Sequence, residues 1–553
     1  MKHIPSDQIK YRKPDIDDFL VTYNELLAKI LVENFGSFKY QASATINRLE
    51  AQTHCYEYVE KYVQIVELLD TDPALCVMIS KADNVLYGPL KERYGARISG
   101  DYCYVDGLKR NFILKVTFHF FVEFLLLIVS RILFKSKNRY DYIIRTYFDF
   151  RCVDQESGAI RDDYFDRFLE DLKSRASVLV VFKIFNLRNW RNFGRFIRAK
   201  KDVGFDVCLL EYFLSPSELC KAFFSFIKSR IRLKSPLIYK GYDVSPLINL
   251  SMKGDYYKLK GLAVYLEYYI AKRILKLSPD RLFYPFENQT WEKMYALAKK
   301  RDNFHSVLVG FQHTGFSFKL LNHFPTRIEN HLPIFPDIIL TTGKIFKTLF
   351  TENAHFPSDI RVGAALRHDK FVTNGEFRFK DPVIEIFGRI AYAFSSDIEK
   401  HFRIVNLLID VFEDADIIVY LKFHPLFDEK LILKRLSRHL PSNFLAASNI
   451  PWKDIYDSVD AILYDDNSIS IEGILNGVRT YMLDEEEPIY NIERMFGFNE
   501  WDRKLNKNRL NAIKQDILNK EFVKTYNVVN VTNYIRDYFS EYSTETAFYR
   551  FVS

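Results

Sequence analysis

Four short stretches of this chain carry side chains able to bind phosphate, grip hydroxyls or move a proton. The first, Leu421-Lys422-Phe423-His424-Pro425-Leu426, ends an apolar run. If that run is a strand, Lys422 and His424 stand at its carboxyl end and Pro425 stops the ladder. An imidazole so placed can hydrogen-bond or charge-pair with a phosphate, or merely cap a turn. The second runs from Asp460 to Gly473, with a strand expected at 461–463, a polar loop at 465–468 and then a helix. Asn467, Ser468 and Ser470 bring polar side chains and amide N–H groups to that helix's N-terminus, a natural phosphate site. Glu472, one turn in, can accept both hydroxyls of a ribose. Simple N-capping by Asn467 or Ser468 accounts for the same residues equally well. The third, Ser395-Ser396-Asp397, sits between an expected strand and helix and can donate to a phosphate or cap; capping suffices for Asp397.

The fourth is Phe286-Glu287-Asn288-Gln289-Thr290-Trp291-Glu292, directly after an apolar run at 282–284. The next such run ends in Gly310-Phe311-Gln312-His313. Two neighbouring strand ends then present Glu287, Asn288, Gln312 and His313 together. An acid, an imidazole and two amides can hold a sugar and manage a proton. Glu292 reads as a surface residue of the helix that follows. Phosphate-binding GxxxxGK[ST], GxSxG, HExxH and Cys/His metal spacings are absent. Asp414-Ala415-Asp416 precedes an apolar run and reads as a surface turn, so no metal site is expected.

Positioning these groups requires strands that alternate with helices. From residue 141 the chain shows short apolar runs at 142–147, 178–182, 207–210, 281–285, 306–311 and 337–341, with helical patterns between. A second series follows, with strands expected at 360–362, within 383–394, and at 415–423, 444–447, 461–463 and 479–483. Such alternation predicts α/β domains with mostly parallel sheets. Two successive sheets, divided near 343–367, predict a cleft with ligands at the carboxyl ends of the strands. The expected domains are a helical accessory region at 1–138, an acceptor domain at 139–345, a nucleotide domain at 346–498, and C-terminal helices at 499–553 that pack back.

With 553 residues, the chain exceeds what one core supports. Its 48% hydrophobic and 27% charged residues fit a folded protein and exclude a mainly disordered one. The six cysteines form no CxxC pair and read as reduced thiols of a cytoplasmic protein. The net charge of +7 is concentrated in blocks at 183–201 and 221–240 that contain no acid. Basic blocks suit polyanions, here an anionic membrane surface or an acidic glycan, with nucleic acid not expected. The segment 111–134 is apolar but interrupted by Lys115, His119, Glu123 and Arg131, which favours a buried or interfacial helix over a spanning one. Salt-sensitive peripheral docking follows, with Trp190, Phe193, Phe196, Phe223, Phe224 and Phe226 as candidates for shallow insertion. The competing expectation is that these aromatics fill a core.

Taken together, Glu287-Asn288-Gln289-x-Trp291-Glu292, Gly310-x-Gln312-His313, Pro336-Asp337 with Gly343, and Val362-Gly363-x-x-Leu366-Arg367 resemble bacterial O-antigen and surface-polysaccharide biosynthesis proteins of the GT-B type. Lys422-x-His424-Pro425 and the serine-rich loop ending in Glu472 also resemble enzymes that use cytidine nucleotides. Among these are Kdo and sialic acid transferases of capsule synthesis and CDP-alditol phosphotransferases. The resemblance implies two Rossmann-like domains, a nucleotide-sugar donor, a glycan or lipid-linked acceptor, and neither metal nor cofactor. It implies that His424, Ser468, Ser470 and Glu472 hold the nucleotide; Glu287 is then the expected general base or sugar-orienting group. Asn467-Ser468 departs from the two adjacent hydroxyl residues frequent in relatives. A CDP-alditol phosphotransferase, a nucleotide-sugar epimerase and a non-catalytic polysaccharide-binding scaffold remain alternatives. Residues 1–138 resemble no named family.

Overall fold

The structure is a computed structural model. It describes residues 2–9, 18–49, 53, 55–81, 83–100, 108–148, 152–153, 158, 160–162, 164–184, 190–200, 205–233, 235–313, 320–366, 388–394, 398–424, 429–436, 438–464, 469–482, 506–519, 537, 540, 542 and 546–552. The chain divides into two compact units. Unit 1 comprises Met1–His313, Phe318–Arg367 and Ser540–Ser553, and unit 2 comprises Thr314–Ser317 and His368–Phe539.

Seventeen strands lie among the described residues. β1 (Lys2–Pro5), β2 (Leu75–Met78) and β3 (Ile98–Ser99) form a small parallel sheet. β4 (Tyr142–Phe148), β5 (Val178–Ile184) and β6 (Asp206–Leu209) come next, then the antiparallel pair β7 (Ile238–Tyr239) and β8 (Tyr242–Asp243). β9 (Arg281–Pro285), β10 (Val307–Phe311), β11 (Ile338–Thr341) and β12 (Asp359–Val362) complete unit 1. Unit 2 holds β13 (Gly388–Ala393), β14 (Ile417–Lys422), β15 (Phe444–Ala446), β16 (Ala461–Tyr464) and β17 (Arg479–Met482).

The large sheet of unit 1 has the order β12-β11-β10-β9-β4-β5-β6, all parallel. Counted along the chain within that sheet, the first strand is β4, and later strands build outward on one side and then on the other. Unit 2 repeats the pattern as β15-β14-β13-β16-β17, also all parallel. Both are Rossmann-like orders, with a reversal point between β4 and β9 in one sheet and at β13 and β16 in the other. The expected doubly wound α/β class is therefore the one found.

These strands are apolar on both sides because helices cover both faces, as parallel sheets require. In β13, Ile390 and Tyr392 enter one core with Ile404, Leu408 and Ile417, whereas Ala391 and Ala393 enter the other with Ile455, Tyr456 and Val478. Gly388 permits this packing: a Cβ there would stand 2.4 Å from Ile517 Cγ2 on the helix Lys507–Leu518. Helix boundaries follow local chemistry. Ser215 and Glu218 form a capping box ahead of Pro216–Ile227, with Pro216 in its first turn. Asn303, in the left-handed conformation at φ 54°, ends Lys293–Asp302.

Three expectations change. β12, assigned from sequence to the second series, pairs with β11 and extends the first sheet, because its extended backbone completes an open edge. Residues 1–138 share unit 1 with the large sheet and, among the described residues, contain three strands as well as helices. Long-range buried contacts tie them in: Arg48 makes a two-pronged ion pair with Glu329 at 2.6 and 2.7 Å, and Asn24 donates to the Phe324 carbonyl at 2.7 Å. Of the C-terminal segment, Lys507–Leu518 packs on unit 2, while Phe551 of the helix Thr546–Val552 lies against Phe168 and Phe311 of unit 1.

The segment 111–134 forms the helix Phe112–Leu133. By length and composition alone it could cross a membrane. Val116, Glu123, Leu126, Leu127 and Ser130 face the interior, and a row of apolar side chains faces outward. Of the aromatics expected to insert, Phe196, Phe223 and Phe226 are buried, Phe193 is half-buried and Phe224 is exposed; Trp190's side chain lies outside the described residues. The buried three pack in unit 1, as Phe196 does against Phe148 and Phe182. Lys183, expected in a basic surface block, is an interior residue of β5 that bonds Glu211 and pairs with Glu123 at 3.5 Å.

Candidate active site

In unit 1 the loop after β9 lies at the reversal point of the sheet. Gly310 of β10 makes room for it: a Cβ at that position would meet the Phe286 ring at 2.8 Å. The Phe286 amide donates to the Phe311 carbonyl at 2.7 Å, continuing the ladder one residue past the strand. The chain then turns at Asn288, which adopts φ 51°, a conformation asparagine tolerates better than most residues. Asn288 is buried, and its amide donates to the Asn322 carbonyl while Asn322 donates to the Glu287 carbonyl. Asn288, expected to bind substrate, is thus committed to fixing the turn.

The turn presents Glu287. Its carboxylate accepts from Gln289 Nε2 and lies 3.7 Å from His313 Nε2, in ion-pair range. The Glu287 side chain is 30% exposed, whereas His313 is buried with its ring 4.4 Å from that of Tyr164. Glu287 and His313 are therefore brought together as the sequence predicts. Gln312 is fully buried, and its side-chain oxygen accepts from Thr342 N at 3.0 Å and from the Thr342 hydroxyl at 3.3 Å. Gln312, expected to bind substrate, thus splints β10 to the end of β11.

Glu292 overturns its reading as a surface residue. It is buried, and both of its carboxylate oxygens accept from the Glu287 amide at 3.1 Å. Burial pushes its carboxyl well above the usual range, and the charge of Glu287 pushes it further. A buried carboxyl group with a raised pKa thus sits behind a partly exposed one. Arg145, from the middle of β4, acts on the charge of Glu292. Its guanidinium lies 3.6 Å from the centroid of the Trp291 ring and 4.3 Å from that of Tyr147, and its Nε bonds Glu267 at 3.1 Å. Tyr295 donates to the same carboxylate at 2.8 Å. Lys293 is buried too, with Nζ donating to Asn47 Oδ1 at 2.8 Å; burial, then repulsion from Arg48, brings its ammonium down to about 8.

Sequence reasoning missed Glu292 and Arg145. The signal for Arg145 is present, since a charge inside the apolar run Tyr142–Phe148 must be paired when both sheet faces are covered. For Glu292, four residues after Asn288 at the start of a helix, local pattern points outward, and only the loop's fold buries it.

In unit 2, β13 and β16 flank the reversal point, and β14 stands beside β13. Phe394, just past β13, stacks on Phe423, just past β14, with centroids 4.7 Å apart. Half-buried His424 follows at that same carboxyl edge. Glu472 lies on the helix Ile469–Leu475 after β16, where its carboxylate accepts from the Tyr456 hydroxyl at 3.1 Å. Tyr456 in turn stacks on Trp452 at 5.5 Å. The topology thus brings His424 and Glu472 to the same carboxyl edge of one sheet.

Lys422 behaves otherwise than expected. Its ammonium donates to the carbonyls of Ala447 and Ser448, each at 3.0 Å, and to that of Ile450. These three bonds brace the loop after β15. Burial brings its ammonium down to about 8. Ser395, Ser396, Pro425, Asn467 and Ser468 lie outside the described residues, as does the side chain of Ser470. No cluster of metal-ligating side chains occurs among the described residues.

No protein-family model matches the chain, and no curated protein matches it. Solved structures do. The chain is similar to a UDP-bound MnaA of S. aureus, with 12% identity and a TM-score of 0.40 over 74% of this chain and 95% of that one. It is also similar to a putative UDP-N-acetylglucosamine 2-epimerase from Listeria monocytogenes, with 14% identity and a TM-score of 0.39 over 74% and 94%. The wall teichoic acid polymerase TagF aligns with 9% identity and a TM-score of 0.36 over 79% and 95%. These likenesses are distant. The two Rossmann-like sheets stand on the chain's own strand orders.

Proposed function

We propose that this chain is a metal-independent GT-B glycosyltransferase that moves a sugar from a nucleotide-activated donor to a glycan or lipid-linked acceptor. In this reading unit 2 binds the nucleotide, with His424 on the phosphates and Glu472 on the ribose, and unit 1 binds the acceptor. The observation that carries it is the repeated strand order. In each unit, the chemically equipped loops follow strands at the reversal of the sheet, where open α/β sheets take their ligands. Glu287 is the acceptor base, with its amide held by the Glu292 carboxyl group and its side chain next to His313. The base of the donor is proposed as cytidine on the motif ending in His424-Pro425 and on Glu472.

The test is calorimetry and donor turnover with CMP-, CDP-, UDP- and GDP-linked sugars. Binding should favour the cytidine nucleotides, and His424→Ala should weaken it by about 1.5–3 kcal/mol, the worth of a hydrogen bond to a charged group. Unchanged affinity in that variant would overturn the nucleotide assignment. A proton-handling pair such as Glu287 and Glu292 also suits a nucleotide-sugar epimerase. Consumption of the donor sugar without any acceptor, yielding an isomer and no free nucleotide, would select that reading.

A further inference from the structure

We propose that the outward face of the helix Phe112–Leu133, together with the tip of its neighbour Pro216–Ile227, is an in-plane docking surface for an anionic lipid bilayer. Leu114, Phe118, Phe121, Leu125, Ile128 and Ile132 are all exposed, Leu114 and Ile132 at 71% and 74%. At helical spacing they form one stripe, about 27 Å long at about 1.5 Å rise per residue. Phe120 packs on Phe223 of the neighbouring helix at 5.1 Å, which places exposed Phe224 and Ile227 beside the stripe. A contiguous apolar face of this length is not typical of a surface left in water.

Charge decides the occupant. Lys109, Arg110 and Lys115 are exposed at one end of the helix, Arg131 and Lys135 at the other, and Lys221 and Lys228 on the neighbour. Glu123 is the sole acid between residues 108 and 140, and it points inward to Lys183. Apolar side chains rimmed by cations match the boundary between acyl chains and anionic headgroups. A second copy of this chain is a poorer occupant, since a two-fold pairing would set like-charged rims against each other.

The helix is also fixed in place on unit 1. Arg131 donates to the Leu214 carbonyl at 2.7 Å, Lys200 donates to the Leu133 carbonyl at 2.8 Å, and the Glu123–Lys183 pair at 3.5 Å lies beneath. Turning this segment into a spanning helix would break that pair and leave Glu123 in hydrocarbon. The geometry therefore favours lying in the interface over crossing it.

The experiment is co-sedimentation of the full chain with vesicles of equal parts phosphatidylglycerol and phosphatidylcholine, and with phosphatidylcholine alone. The chain should sediment with the anionic vesicles at low salt and be released by about 1 M salt or by alkaline carbonate. Phe118→Asp with Phe121→Asp should lower partitioning about tenfold or more. Both positions are exposed, so the variant should keep the wild-type circular dichroism and thermal transition. Absence of wild-type binding at low salt, or undiminished binding by the folded variant, would overturn the proposal. So would resistance to carbonate extraction, which marks a spanning helix, or a wild-type dimer that the variant dissociates without any vesicle binding. Nucleotide calorimetry on the same variant is independent of each outcome, so this inference stands or falls apart from the proposed activity.

Discussion

Glu292 shows how one residue can set a site without meeting a substrate. Its two oxygens hold the amide of Glu287, and the Arg145 guanidinium that lies over the Trp291 ring is close enough to act on its charge. Because burial and the neighbouring charge of Glu287 raise its carboxyl, the folded state holds a proton that the unfolded chain has already released. This contribution is therefore fully present below the unfolded carboxyl value of about 4.3 and is lost as pH rises toward the folded one. Glu292→Gln mimics the neutral acid and should flatten this part of the profile: denaturant unfolding from pH 4 to pH 8 should show wild-type stability falling relative to the variant. A constant difference between the two across that range would show that Glu292 is ionised in the folded protein. Glu292→Ala also leaves the Glu287 amide without its acceptor and should be about 1–3 kcal/mol less stable than Glu292→Gln at every pH. At this scale the sequence was informative where a group's role is local. Glu287 and His313 follow consecutive sheet strands and do meet. The bonds that Asn288, Gln312 and Lys422 make to the protein's own backbone were not legible, because polarity alone does not name a partner and these partners lie 25–34 positions away.

The loop after β9 depends on a missing side chain in the strand next to it. A methyl group on Gly310 would overlap the Phe286 ring. Gly310→Ala should lower stability by about 1–3 kcal/mol, the usual range for overpacking, and Phe286→Leu in the same chain should recover much of it. Chemical denaturation of the single and double variants measures this coupling; additive losses would show that the glycine serves some other need. Strands and helices were the most legible layer. Continuous apolar runs gave β9 from Arg281 to Pro285 residue for residue and placed β4, β10 and β16 to within a residue or two at each end. What periodicity does not contain is partnership. β12 has the composition of any short strand, so only its pairing with β11 shows which sheet it extends. β1 and β3 are too short, at four and two residues, to register as a pattern.

Across the whole molecule, the doubly wound class was readable because both sheets announce themselves through alternation, whereas the extent of unit 1 was not. Its N-terminal and C-terminal portions are joined to the large sheet by contacts hundreds of residues apart, such as Arg48 with Glu329. The Phe551 ring lies 4.7 Å from that of Phe168 and 5.7 Å from that of Phe311. Phe551→Ala should therefore weaken unit 1 by about 3–5 kcal/mol, the cost of removing a buried aromatic. Differential scanning calorimetry should show a lowered transition for unit 1, while a loss confined to unit 2 would contradict the assignment of that helix.

The return of residues 540–553 to unit 1 also sets an order of events during synthesis. A ribosome delivers all of unit 2 before it delivers Phe551. The strands of unit 2 and its covering helix Lys507–Leu518 all precede that ring in the chain. Unit 1, though translated first, must wait with the surfaces of Phe168 and Phe311 uncovered. The usual N-terminal-first course for multidomain chains therefore meets an exception here: the unit translated first is completed by residues translated after all of unit 2.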